Sequence, residues 1–239
     1  SRLYHNLLSR SSSKNKNKNK LGGEVLKKNR ADQKTDYFLD TIDDVIEPWF
    51  GFLHYYDTHW EYNAGQRHRD AVSHREYEDG HLTIQELQET HPDQPVLDRF
   101  GNYDDVDTVG DIKRRYDAAV KYVDNSIGRI VDYLQQQGEA DNTAIIITSD
   151  HGESLTENGV LFSHRELFDQ TWHTPLVIKA PMFSGAENRF VQHFDIAPTV
   201  LDMLEIHINN DHFDGQSLVP KNGSRDIDRN AVFVEQIHN

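Results

Sequence analysis

The sequence contains no cysteine. Disulfides, thiolate metal sites and cysteine nucleophiles are therefore excluded within its 239 residues. It has no apolar run of transmembrane length. Cations are the minority charge, with 25 Lys and Arg against 40 Asp and Glu and a formal net charge of -15. Phosphate backbones are bound by clustered cations, so nucleic acid is not expected as the main partner. An acidic surplus suits a cation-binding protein, and equally suits plain solubility. No secretory leader pattern is visible, but the first residue is Ser, not Met. The compartment stays open between cytoplasm and periplasm or exterior.

What is present is a chain that alternates helix-like and strand-like stretches. Residues 11–20, SSSKNKNKNK, cannot bury apolar surface. Residues 1–30 are accordingly expected to be a partly disordered linker or the remnant of a missing N-terminal part, and 31–239 an incomplete α/β domain. Residues 32–46 carry Tyr37, Phe38, Ile42, Val45 and Ile46 at helical spacing, ended by Pro48. Residues 49–56 are apolar and aromatic, as a buried strand would be. Residues 63–107 are polar and His-rich, and are expected to be a surface excursion with one short helix at 83–89.

The strongest helix signal covers 109–137. Ile112, Tyr116, Val120, Val123, Ile127, Ile130, Val131 and Leu134 make one stripe, and Gly138 suits the C-terminal cap. Residues 143–149 are β-branched without alternation, as in a central parallel strand. Residues 175–180 and 231–235 read as further strands. Residues 196–204 read as a helix with Asp195 as N-cap and Pro198 in the first turn. The expected architecture is a layered α/β domain with a largely parallel central sheet flanked by helices.

In such sheets, ligands bind beyond the carboxyl ends of strands. Asp150 and His151 follow one expected strand, and His59 follows another. An acid and an imidazole side by side are a start of a metal site. Gly152 lets the backbone turn there. The plainer reading is a polar turn in which Asp150 caps the next segment. His164, after a loop containing Gly159, is placed to return to the same edge. His54, His68, His74, His81 and His91 show no ligand spacing.

The residues also carry a family resemblance. FGFLHYYDTHWEY, RRYDAAVKYVDNSIGRIVDYL, TAIIITSDHGE, HTPLVIKAP, QHFDIAPTVLDMLEI and DGQSLVP occur in that order. Together they resemble the C-terminal two-thirds of a sulfatase of the alkaline phosphatase superfamily. The resemblance implies a metal-dependent sulfuric ester hydrolase. It implies that Asp150 and His151 bind a divalent cation, calcium by preference, with Mg²⁺, Mn²⁺ or Zn²⁺ as alternatives. It implies that His59 touches the sulfate and that His164, with Arg165 as the second candidate for the same position, contacts the sulfate or assists the leaving group. The implied partner is a sulfate ester.

The family's formylglycine arises from Cys or Ser in Cys/Ser-x-Pro-x-Arg. That pattern does not occur in this sequence, and no segment of it resembles the family's N-terminal Asp-Asp motif. The expectation is therefore a fragment, inactive alone, whose nucleophile lies outside these residues. SDHGESLTENG also resembles phosphoethanolamine and phosphoglycerol transferases of the same superfamily. A truncated, non-catalytic metal- or partner-binding protein is the third reading. Neither the organic part of the substrate nor the oligomeric state is legible.

Overall fold

The computed structural model describes residues 30–62, 64–186, 188, 190–206, 213–220 and 229–235. The linker expected over 1–30 lies outside them, Arg30 excepted. The chain divides into two units, Ser1–Tyr133 and Leu134–Asn239. Among the described residues, no helix is long and apolar enough to cross a membrane.

The first unit is built of helices, α1 (Ala31–Ile42), α2 (Gln66–Val72), α3 (Ile84–Thr90), α4 (Val96–Phe100) and most of α5 (Val109–Gln137). The start of α1 is satisfied by distant groups. Ala31 N–H donates to Asp57 Oδ1 at 3.2 Å and Asp32 N–H to the Tyr122 hydroxyl at 3.1 Å. Ala31, Ala64, Val72, Ala118 and Tyr122 form one buried cluster, joined by Tyr55 and Val123. The α5 stripe is as expected in period but not in every member. Ile112, Ala118, Ala119, Tyr122 and Leu134 are buried, whereas Val120 is exposed. Gly138 does cap α5, at φ 75°, with Glu139 N–H donating to Leu134 O at 2.8 Å.

Residues 63–107 correct the expectation of an irregular surface excursion. They supply buried Val72, Ile84, Leu87, Val96, Phe100 and Val106. Two capping boxes order them. The Thr83 hydroxyl accepts from Glu86 N–H at 3.1 Å, while the Glu86 carboxylate accepts from Thr83 N–H at 2.9 Å. Thr108 and Asp111 repeat the exchange at 3.3 and 2.8 Å. Ile84 N–H to Asp107 O and Val109 N–H to Leu82 O bind the two helix starts side by side.

Residues 49–56 are a second correction. No strand is formed there among the described residues. Phe50 and Phe52 are 68% and 82% exposed, so this is not a buried strand. The aromatic character of such a run favours a strand, but a strand also needs a neighbour to pair with.

In the second unit, β1 (Ile145–Thr148) pairs with β2 (Leu176–Lys179), Ile146 opposite Ile178. The pair is antiparallel, and it is the sheet present among the described residues. The largely parallel sheet is thus not what these strands form with each other. Residues 231–235 form no strand, and Phe233 is exposed. A short helix α6 (Asp169–Trp172) precedes β2, and α7 (Ile196–Met203) follows a 3-10 turn, His193–Asp195.

Asp195 is not the simple side-chain cap of α7 that its position suggested. It is fully buried and accepts from Gln192 N–H, Gln216 N–H and both terminal nitrogens of Arg229, the last two at 2.5 and 2.8 Å. Thr199 adds a second link, its hydroxyl accepting from Leu218 N–H at 2.9 Å. The segments DIAPT and DGQSL therefore meet around one carboxylate.

Burial alone would raise the Asp195 carboxyl. The Arg229 guanidinium and the two backbone N–H groups outweigh it and hold the group below its ordinary value of 3.8. The stabilisation is thus complete above pH 3.8 and is lost as pH falls through the lower, folded value. In Asp195→Asn this acid-limb dependence should shrink. Neutral-pH stability should fall by about 3–5 kcal/mol, because Arg229 is left without its charge partner. Urea unfolding as a function of pH reads both effects, and an unchanged acid limb would refute them.

Candidate functional site

The site forms where β1 ends. Thr148 is the last strand residue, and the Ser149 hydroxyl donates to His151 O at 2.6 Å. Asp150 Oδ1 accepts from His151 N–H at 3.1 Å, which tightens the turn. The Asp150 side chain is 74% exposed. Gly152 then passes directly against the α6 backbone, its N–H donating to Thr171 O at 2.7 Å. A Cβ at Gly152 would lie 2.0 Å from Gln170 O. Only glycine permits that approach.

After Gly152 the chain makes a closed loop. Ser154 and Ser163 exchange backbone hydrogen bonds at 3.0 and 3.1 Å. The buried Ser154 hydroxyl donates to Glu157 O at 3.0 Å. The Glu157 carboxylate accepts from Leu155 N–H and Thr156 N–H at 2.7 and 3.1 Å. Asn158 and Gly159 take left-handed backbone, φ 56° and 72°, at the loop tip. Leu161 and Phe162 are buried and anchor the return.

The loop sets His164 beside His151. Their rings stack with centroids 4.0 Å apart and planes at 27°. His151 Nδ1–H donates to Gly152 O at 2.8 Å, and its Nε2 lies 3.9 Å from Asp150 Oδ1. His164 Nδ1–H donates to Glu153 Oε2 at 3.2 Å. The Glu153 side chain is only 7% exposed. His151, Glu153 and His164 each offer one ligand atom, all within 4.8 Å of one another.

Two residues at this strand end were missed by the sequence reading. Glu153 carries a signal in Asp-His-Gly-Glu: it stands two residues beyond His151. His193 carries none. It arrives from a distant turn, and its Nε2–H donates to Ser149 O at 2.8 Å.

His59 belongs to the first unit, in the turn after residues 49–56. Its N–H donates to Tyr56 O at 3.2 Å and its ring stacks on Tyr56 at 4.4 Å. Because residues 49–56 form no described strand, the argument from a strand end does not place His59. Next to it, Asp57 is buried, and burial pushes its carboxyl up despite the Ala31 N–H and the nearby cations.

The comparisons with known proteins bear on this geometry. The sulfatase family profile matches residues 1–206. The chain belongs to the sulfatase family. It is 38% identical to an N-acetylglucosamine-6-O-sulfatase of Bacteroides thetaiotaomicron over 110 residues, which are 45% of this chain and 19% of that protein. It is 28% identical to a choline-sulfatase of Rhizobium meliloti over 186 residues, 74% of this chain and 36% of that one. The chain thus spans well under half the length of these curated relatives. A phosphonate monoester hydrolase of Silicibacter pomeroyi matches in structure with a TM-score of 0.57 at 24% identity, over 80% of this chain and 41% of that one. That likeness is one of fold, and the fold is alkaline-phosphatase-like.

Gly152→Ala should destabilise by about 1–3 kcal/mol through overpacking against Gln170 O. Gly128→Ala is the matched control. It lies in α5 with nothing within 4 Å of an added Cβ, so a gain of about 0.5–1 kcal/mol is expected. Thermal unfolding of both variants measures the contrast, and equal shifts would show that Gly152 is not sterically required.

Proposed function

We propose that the complete protein carrying this chain is a metal-dependent hydrolase of sulfate esters. The observation that carries the reading is the sulfatase profile match across the strand end where His151, next to Asp150, stacks on His164. On this reading Asp150 and His151 hold a divalent cation. Asp150 Oδ1 and His151 Nε2, 3.9 Å apart, suit neighbouring positions on one ion at about 2.3–2.6 Å. Hard cations take about six or more oxygen ligands, so the rest of the shell comes from elsewhere in the protein. Calcium is the proposed ion, with Mg²⁺, Mn²⁺ and Zn²⁺ as alternatives. Bound there, it would neutralise and orient sulfate oxygens.

The chain's own residues supply the remaining chemistry. His164 is proposed to stabilise the leaving oxygen as the sulfur–oxygen bond breaks, donating a proton or hydrogen bond from its ring. Its carboxylate partner, Glu153, orients that ring. His59 is proposed to contact the sulfate. The nucleophile is assigned to the part of the protein beyond this chain, where the reading also places further strands of a mainly parallel sheet around β1.

The complete protein should hydrolyse an aryl sulfate. Asp150→Asn should lower calcium affinity about tenfold or more, since ligand charge sets affinity for hard cations. Calorimetry and a chromogenic sulfate ester test this. Unchanged calcium affinity in both Asp150→Asn and His151→Ala would return the segment to an ordinary turn. Hydrolysis of a phosphonate monoester but of no sulfate ester would overturn the substrate class.

A further inference from the structure

The donor atoms at the strand end divide into two chemical sets. Asp150 is a solvent-facing carboxylate, 74% exposed. Behind it stand two imidazoles and one enclosed carboxylate, His151, His164 and Glu153. The second set is nitrogen-rich. Beyond the one nitrogen of His151, calcium has little use for it, because hard cations prefer oxygen donors. Two imidazoles and a carboxylate are instead the donors that a borderline ion prefers.

We propose that His151, Glu153 and His164 form a binding site for a borderline transition-metal ion such as Zn²⁺, different in donor set from the hard-cation site at Asp150. Three geometric points support it. The ligand atoms already lie within 4.8 Å of one another. His164 Nδ1 and Glu153 Oε2 are 3.2 Å apart, close to the edge of a tetrahedron of zinc bonds, about 3.3 Å. An ion bound there takes the Nδ1 lone pair in place of that hydrogen bond, and the neutral His164 ring then carries its single proton on Nε2 rather than on Nδ1. The third point is the second shell. His151 Nδ1–H is held by Gly152 O at 2.8 Å, so Nε2 carries the ligand lone pair, and the ring is already oriented.

The set is also built rather than incidental. Glu153 is more than nine-tenths enclosed, and the loop that returns His164 is closed by the Ser154–Ser163 pairing. Three protein ligands leave a fourth tetrahedral position for water. Because His151 serves both donor sets, calcium and zinc exclude each other. Where the sulfatase reading holds, zinc at the triad also withdraws His164 from the sulfate.

The test is zinc binding by the complete protein. Calorimetry with Zn²⁺ alone and with Ca²⁺ alone is paired with long-range proton–nitrogen spectra of the histidine rings. His164→Ala and Glu153→Gln should each weaken zinc binding at least about tenfold while calcium affinity changes less than about threefold. In the unsubstituted protein, zinc should move the ring nitrogens of His151 and His164, a readout that does not depend on how the variants fold. Zinc affinity unchanged in His164→Ala, equal losses for zinc and calcium, or ring signals of His164 unmoved by saturating zinc would each overturn the proposal. These results stand apart from turnover. A protein that cleaves no sulfate ester but shows the ring shifts keeps this site, and an active sulfatase with an unmoved His164 loses it.

Discussion

The turn after β1 exists because nothing larger than hydrogen fits at Gly152. Its N–H reaches Thr171 O at 2.7 Å, and an added Cβ would overlap Gln170 O. The contact pins the chain to α6 one residue after His151 and one before Glu153. From that point the directions of the site side chains follow. His151 is held by its own neighbour's carbonyl, Glu153 is turned into the protein, and Ser154 enters the pairing that brings His164 back. Thr171 is itself fixed, buried with its hydroxyl donating to Phe168 O at 2.8 Å.

The loop that closes the site is held mainly by hydrogen bonds. Each contributes only about 0.5–1.5 kcal/mol net, but a buried donor or acceptor left unmade costs more. That asymmetry makes the loop specific. The fully buried Ser154 hydroxyl and the Glu157 carboxylate satisfy carbonyls and N–H groups that would otherwise be stranded as the backbone turns. Leu161 and Phe162 add the apolar anchor. Phe162 takes positive φ to do so, 49°, an uncommon conformation for an aromatic residue that its burial offsets.

The parts of this structure that were legible in the sequence are those written in local period and local chemistry. The α5 stripe, its Gly138 cap, the existence of β1 and β2, and the Asp-His-Gly turn all belong there. The direction of β2 relative to β1 was not legible, because a β-branched run reads the same parallel or antiparallel. Residues 49–56 have strand composition, but composition cannot supply a partner strand. Over 63–107 the short helix expected at 83–89 is present, as Ile84–Thr90, but the burial of the stretch was misread. Its apolar residues are spread over short helices, so no single window shows a period. At the site, Asp150, His151 and His164 announced themselves by residue type. Glu153 stood in view two residues beyond His151, but its enclosure is a property of the fold and not of residue type, and His193 came from too far along the chain.

Charge gives the strand end its chemical bias. Asp150 and Glu153 put two carboxylates within four residues of a chain whose formal net charge is -15. Distant acids count for little, because salt screens exposed charges beyond about 8 Å at physiological ionic strength. The local pair is what a bound ion meets. Its members differ in setting, since Asp150 faces water and Glu153 is enclosed. A charge near solvent is partly neutralised by water before any ion arrives, whereas an enclosed carboxylate keeps most of its field for its neighbours. Enclosure also makes Glu153 dependent on partners, and His164 is one of them in the metal-free chain. The pairing that orients His164 is therefore also a contact that an incoming cation must compete with. The ring and the acid are held together tightly enough to define a site, through a single hydrogen bond that a divalent ion is able to replace.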